Sequence, residues 1–246
     1  ADSSEAVVLG GRVWEAAPHL CAYMQSVAVQ LEGSAVLELG AGTGACGIYA
    51  ARLGAKRVVL SEGGPDTPKL LELLRRNATR NVHSLHSSSE VEVCALHWGC
   101  EPLPPGPFDW VVGSDIVLGG GYDVAALCVT LHALLLRDRP RVILAMQHGL
   151  PVPIRSVAYG ALPDRYLDET LEALDEAACA AGLALLPVVS GAPIAAPVAP
   201  TERDVIFTWP AGDFNAFADS SAVYLVQVVL RAEDYDDSDP WGDNPL

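Results

Sequence analysis

The sequence has few positive charges and lacks the long apolar runs that anchor proteins in membranes. Its 246 residues include 15 Lys and Arg against 31 Asp and Glu, a formal net charge of −16. Such a balance repels nucleic acid phosphates and anionic lipid headgroups, so we expect no nucleic acid and no membrane among its partners. No run approaches the roughly 18 uninterrupted apolar residues of a membrane-spanning helix. The charge instead favours a cationic ligand or a basic protein segment.

Metal-binding and disulfide patterns are also missing. The six cysteines form no C-x-x-C pair, and most lie in apolar runs, where a free thiol behaves as a small hydrophobic side chain. His83 and His86 lie in Ser-rich sequence without a third ligand nearby, which predicts a solvated loop and no metal site. We therefore expect the protein to be located in a reducing compartment, and the cytoplasm is the predicted one. Residues 1–5 resemble neither a signal peptide nor a transit peptide, but the missing initiator Met leaves room for an upstream targeting segment and thus for the nucleus or an organelle.

Strand-like apolar runs alternate with helix-like segments along most of the chain. This alternation predicts an α/β fold, a Rossmann-like doubly wound sheet of seven strands with helices on both faces. The predicted strands are 35–39, 57–61, 91–96, 110–114, 141–146, 183–189 and 222–230. The predicted helices are 13–31, a short one ending at 53, 66–81, 124–136 and 166–181, the last stopped by Gly182.

The long connection between the last two strands shows no strong helical pattern, so the sheet is expected to be mostly parallel with an antiparallel last strand. One domain over 1–232 is predicted. It would comprise a helical lead-in (11–34), a Rossmann-like core (35–190), and a loop with the last strand (191–232). Residues 233–246 are predicted to form an acidic, solvated tail.

A glycine-rich turn, Glu38-Leu39-Gly40-Ala41-Gly42-Thr43-Gly44, follows the first predicted strand and opens a helix. Glycines there allow positive φ and a close approach of ligand to backbone, which predicts a nucleotide-type site. Glu62 ends the second strand, beside the turn, where a carboxylate can accept both ribose hydroxyl protons. The spacing Gly42-x-Gly44-x-x-Gly47 also fits NAD, so an NAD-dependent oxidoreductase stays open. Glu38 before the turn disfavours a pyrophosphate and favours a positively charged amino acid or sulfonium.

The segment ELGAGTGACGIYAARLGAKRVVLSE resembles the first two motifs of the class I, seven-β-strand S-adenosylmethionine-dependent methyltransferases. Further motifs resemble the protein-lysine methyltransferase family 16 group in particular. The first is GRVWEAAP, which starts at Gly11 and is followed by Leu20 and Tyr23. The second consists of Leu71, Asn77 and Asn81 in the helix after the second strand. The third is LHWG at 96–99, and the fourth is FDWVVGSD at 108–115. The resemblance covers about residues 11–182.

That resemblance implies S-adenosyl-L-methionine as the cofactor and a lysine side chain of a protein as the methyl acceptor. Trp14 and Trp98 would enclose the adenosine end, Gly40, Ala41 and Gly42 would approach the methionine part, and Ser114 would lie beside the ligand. Glu62 would hold the ribose.

One departure from the family pattern concerns the acid-x-x-Tyr motif after the fourth strand. Asp115 supplies the acid, but Leu118 stands in the place of the Tyr, followed by three glycines and Tyr122. We expect Asp115 to be catalytic and to orient the incoming amine by hydrogen bonding, with the proton of the amine leaving to solvent. The alternative is that Asp115 caps a helix or loop. The departure also keeps open an alternative, a degenerate methyltransferase fold that serves as a structural subunit of a larger complex.

Overall fold

The computed structural model describes residues 9–81, 89–117, 123–147, 173–187 and 223–230. Its centre is one seven-stranded sheet in the order β3-β2-β1-β4-β5-β7-β6. The strands are β1 (Ala35–Glu38), β2 (Arg57–Glu62), β3 (Glu90–Ala95), β4 (Trp110–Ser114), β5 (Arg141–Gln147), β6 (Leu183–Pro187) and β7 (Val223–Leu230). The first five are parallel, whereas β7 is antiparallel to both β5 and β6. The predicted fold class is confirmed, including the antiparallel last strand.

Helices cover both faces of the sheet. They are α1 (Ala16–Ser26), α2 (Ala28–Leu31), α3 (Ala45–Arg52), α4 (Thr67–Asn81) and α5 (Val124–Asp138), with a further helical stretch over 173–180. A 3₁₀ turn, Leu9–Gly11, precedes α1. The helix predicted over 13–31 was wrong in its bounds, because it begins three residues later and is broken at Val27, whose φ of −112° and ψ of 22° are not helical.

Successive side chains of the central strands point to opposite faces and fill two apolar clusters. Val36 of β1 and Ile143 of β5 pack with α1, α3 and Leu74 of α4 on one face. Leu37 and Leu144 pack with α5 and the helix over 173–180 on the other. Each such side chain, removed from water, contributes about 1.5–3 kcal/mol. Because β1, β4 and β5 are covered on both faces, the rigid part of the sheet lies directly below the carboxyl ends of its parallel strands.

Several predicted features lie outside the described residues: His83 and His86, Leu118 with the following glycines and Tyr122, the first residues of the helix predicted over 166–181, and the acidic tail. Gly182, predicted to stop that helix, has φ +73° at its end. In the part of the chain that the structure describes, no helix is both long and apolar enough to cross a membrane.

Candidate functional site

The carboxyl ends of β3, β2, β1 and β4 bring the predicted site residues together along one edge of the sheet. Trp98 follows β3, Glu62 ends β2, the turn Gly40–Gly42 follows β1, and Ser114 ends β4. These four strands are neighbours in the sheet. In open α/β sheets, ligands bind in the crevice outside the carboxyl ends of the strands.

The glycine-rich turn folds back over the edge in conformations that favour glycine. Gly40 and Gly42 have φ of +56° and +52°, and Gly44, which precedes α3, has φ of +80°. A Cβ on Gly40 would lie 2.7 Å from Cγ2 of Ile116 and 3.6 Å from the Trp98 ring, so a side chain there has no room. The turn therefore offers bare backbone to whatever lies in the crevice.

Glu62 is tied to this turn by its side chain. Its Oε2 accepts a hydrogen bond from the Gly42 N–H at 2.7 Å, and its Oε1 accepts one from the Gly63 N–H at 3.2 Å. Burial raises the pKa of Glu62, while these two N–H groups act in the opposite direction. The carboxyl group is thus oriented beside the turn, in the place predicted for it.

Glu38 lies beneath the turn rather than in the crevice. Its side chain is 2% exposed and accepts a hydrogen bond from the Gly47 N–H, in the first turn of α3, at 2.8 Å. Burial raises the pKa of Glu38 to about 8, against hydrogen bonds from Gly47 and Cys46 that favour the charged form. The group is therefore mostly neutral at neutral pH, so Glu38 does not disfavour a pyrophosphate as the sequence predicts.

The N–H groups of the turn and of the first residues of α3 decide how well a pyrophosphate would fit here. Dinucleotide sites bind the pyrophosphate with free N–H groups of the turn and the helix N-terminus. Here the Gly42 N–H donates to Glu62 and the Gly47 N–H donates to Glu38. These two N–H groups therefore already have acceptors within the protein, which leaves fewer donors for a pyrophosphate.

Ser114 contacts a residue that sequence analysis did not select. The Cys46 thiol, in the first turn of α3, lies 3.6 Å from Ser114 Oγ and 3.8 Å from the carbonyl oxygen of Ala17. A hydrogen bond with Cys21 and burial raise the pKa of the Cys46 thiol well above its usual value. Cys46 is therefore a protonated packing residue that joins α1, α3 and β4.

The segment before α1 brings Trp14 and Asp115 into one region. The Arg12 guanidinium lies over the Trp14 ring, 4.1 Å from its centre. Asp115, at φ +50°, is 7% exposed, and its Oδ2 accepts a hydrogen bond from the Ala16 N–H at 2.9 Å. Asp115, which the sequence predicts as catalytic, thus holds the start of α1.

Sequence analysis missed two further residues of the site, Gly10 and Ile116. Gly10 lies against the turn, since its carbonyl oxygen would be 2.8 Å from a Cβ on Gly42, and Ile116 fills the space beside Gly40. The paired glycines before Arg12 were the available signal for the first. Ile116 carried none, because an apolar residue after a strand is ordinary.

The lysine methyltransferase family model matches residues 2–149 of this chain. The chain is 41% identical over 107 residues to Protein N-lysine methyltransferase METTL21A of Xenopus tropicalis, covering 43% of this chain and 46% of that protein. It is 41% identical over 110 residues to mouse EEF1A lysine methyltransferase 3, covering 44% of each. It is also similar to mouse Histone-arginine methyltransferase METTL23, at 34% over 139 residues, covering 55% of this chain and 51% of that protein. The chain thus aligns with about half the length of these relatives.

Proposed function

The chain belongs to the lysine methyltransferase family whose model matches residues 2–149, and from that membership we propose that it transfers a methyl group from S-adenosylmethionine to a lysine side chain of a protein. The observation that carries the proposal is the crevice at the ends of β1 and β2. There a glycine turn with positive φ is tied to the Glu62 carboxylate by the Gly42 N–H at 2.7 Å.

The residues at this edge fit the chemistry of the proposed cofactor. Glu62 supplies a carboxylate that can accept hydrogen bonds from ribose hydroxyls. The bare backbone of Gly40 permits close approach of the methionine part, and Trp98, half-buried against Gly40, supplies an aromatic face for adenine. When bound, S-adenosylmethionine supplies the reactive methyl group.

The task of the protein is then to hold a neutral amine in line with that methyl group and to exclude water. A lysine side chain has a pKa of about 10.4, so it must lose a proton before it can attack. The sequence assigns this orientation to Asp115. In the structure, however, its Oδ2 accepts the Ala16 N–H at 2.9 Å, which favours a role in holding the start of α1.

We also propose that the protein substrate presents a basic segment. The net charge of −16 would attract a Lys-rich target by long-range electrostatics. Lysine is preferred to arginine as the acceptor because the family model and two of the three relatives described above carry lysine in their names.

The proposal is tested in two steps, cofactor binding and then transfer. Calorimetric titration of the purified chain with S-adenosylmethionine should show one site. Incubation with methyl-labelled cofactor and a proteome extract, followed by hydrolysis of the labelled protein, should yield methyllysine. Glu62→Gln should lose binding and labelling, whereas Glu72→Gln, which changes an exposed carboxylate on α4, should keep both.

The other outcomes separate the alternatives. If the labelled product is methylarginine, the methyl acceptor is arginine instead of lysine, and the rest of the proposal is unaffected. Tight cofactor binding without any labelled protein would favour the structural-subunit alternative. No binding of S-adenosylmethionine, with binding of NAD instead, would overturn the proposal.

A further inference from the structure

A short segment before α1 lies against the glycine-rich turn through the backbone of Gly10. We call residues 9–16 the N-terminal strap. At Gly10, a Cβ would lie 2.9 Å from Cδ2 of Leu70 on α4, and a Cβ on Gly42 would lie 2.8 Å from the carbonyl oxygen of Gly10. A side chain at Gly42 would displace the backbone of Gly10, whereas one at Gly10 would displace the end of the Leu70 side chain. The strap therefore lies directly on the turn that borders the crevice.

The other end of the strap is held by a residue from far along the chain. The Ala16 N–H, the first of α1, donates to Asp115 Oδ2 at 2.9 Å in a buried hydrogen bond between residues 99 positions apart. Asp115 thus supplies an acceptor for one of the N–H groups that a helix start leaves without an intrahelical partner.

Trp14 lies between these two attachments. Its carbonyl oxygen accepts a hydrogen bond from the Ala17 N–H at 3.1 Å, so its backbone is joined to the same first turn of α1 that Asp115 holds. We propose that Asp115 is a positioning residue, which holds the strap against the glycine-rich turn and fixes the backbone of Trp14, and so sets the affinity for the cofactor. This inference rests on the proposed function.

The inference changes the kinetic step that Asp115 is expected to control. If Asp115 orients the amine, its loss lowers kcat and leaves cofactor affinity unchanged. If Asp115 holds the strap, its loss raises the Kd for S-adenosylmethionine, and turnover recovers when the cofactor is saturating. A buried hydrogen bond to a charged group corresponds to about a 10- to 100-fold change in Kd.

Asp115→Ala and Asp115→Asn distinguish these roles, because an amide oxygen can still accept the Ala16 N–H but cannot take up a proton. We expect Asp115→Ala to raise the cofactor Kd about 10- to 100-fold and to keep kcat, at saturating cofactor, within about threefold. Asp115→Asn should recover most of the lost affinity. Amide hydrogen exchange of a peptide over residues 9–17, measured without cofactor, should be faster in Asp115→Ala than in the unchanged chain.

Asp109→Ala is the matched control. Asp109 precedes β4 as Asp115 follows it, and its Oδ2 accepts the Ala35 N–H at 2.8 Å at the opposite end of the strand. This variant loses a backbone-to-carboxylate bond of similar length, although an exposed one, and should leave both the cofactor Kd and the exchange of residues 9–17 unchanged.

The inference is overturned if Asp115→Ala leaves Kd and exchange unchanged while kcat collapses, or if both Asp115 variants lose turnover even at saturating cofactor. Failure of the proposed function gives a different result, since the unchanged chain would then bind no S-adenosylmethionine. The exchange measurement would still decide whether Asp115 holds the strap.

Discussion

Replacing Glu38 by Gln should remove a large part of the dependence of stability on pH. Glu38 is 2% exposed, and burial raises its pKa from 4.5 to about 8 in the folded protein. Below pH 4.5 the group is protonated in both the folded and the unfolded state. Between these two pH values the folded protein keeps a proton that the unfolded chain has lost, so the free energy of unfolding falls as pH rises.

The expected slope is about 1.4 kcal/mol per pH unit, which amounts to about 4–5 kcal/mol when the pH has risen through the folded pKa. Glutamine is neutral throughout, and its amide oxygen can still accept the Gly47 N–H that Glu38 accepts at 2.8 Å. The free energy of unfolding of Glu38→Gln, relative to the unchanged chain, should therefore increase by about 3–4 kcal/mol from about pH 5 to about pH 8.

Urea unfolding followed by circular dichroism at about pH 5, 6, 7 and 8 measures this difference. Glu92→Gln is the control, because Glu92 is exposed and its hydrogen bond with Arg57 lowers its pKa. Its contribution is lost only as pH falls through that lowered pKa, so this variant should differ from the unchanged chain by a constant amount over the same pH range. If the Glu38→Gln difference is also constant, Glu38 is charged at neutral pH and the argument from burial is refuted.

Two further predictions concern the turn and the ring beside it. Gly42→Ala should lower the free energy of unfolding by about 1–3 kcal/mol more than Gly64→Ala does. Both positions have positive φ, but of the two only a Cβ at Gly42 would meet backbone, namely the carbonyl oxygen of Gly10. Equal urea midpoints for the two variants would contradict this contact. Trp98→Ala should raise the cofactor Kd about tenfold with little loss of stability, as calorimetry and thermal unfolding can show, since the ring is half-buried. The control is Trp110→Ala, at a 4% exposed position, which should instead cost about 3–5 kcal/mol of stability. If Trp98→Ala leaves the cofactor Kd unchanged, the Trp98 ring is not part of the cofactor site.

The strands could be predicted closely because each is a short apolar run between polar segments. β4 was predicted at its observed bounds, and β1, β2, β3 and β5 differ from the prediction by one residue at one or both ends. The predicted strand ends at 188–189 and 222 lie outside the described residues. The break in the first helix could not be predicted, because Val27 is neither Gly nor Pro and the apolar pattern continues through it. The start of that helix at Ala16 depends on Asp115, which is 99 residues away in the sequence.

The site could be predicted where a residue follows a strand, and not where its environment depends on packing. Glu62 and Trp98 lie at the sheet edge because strand order and direction place them there. Glu38 has the same sequence context, yet it turns inward beneath α3, and its raised pKa follows from burial that no local pattern reveals. The contact of Gly10 with Gly42 likewise joins two segments that are unrelated in sequence.

The position of β5 in the sheet shows that residues up to 117 and the strands after them have different roles, the first carrying the site and the second completing the sheet. All residues assigned to the site lie within 9–117, but β5 pairs with β4 on one side and with β7 on the other. A fragment ending at residue 117 would contain every proposed ligand contact. It would still expose the edge of β4 that normally pairs with β5, and an exposed strand edge can pair with another molecule and cause aggregation. Substitutions in β6 and β7 are therefore expected to lower the yield and solubility of the protein but to leave the ligand specificity of the crevice unchanged.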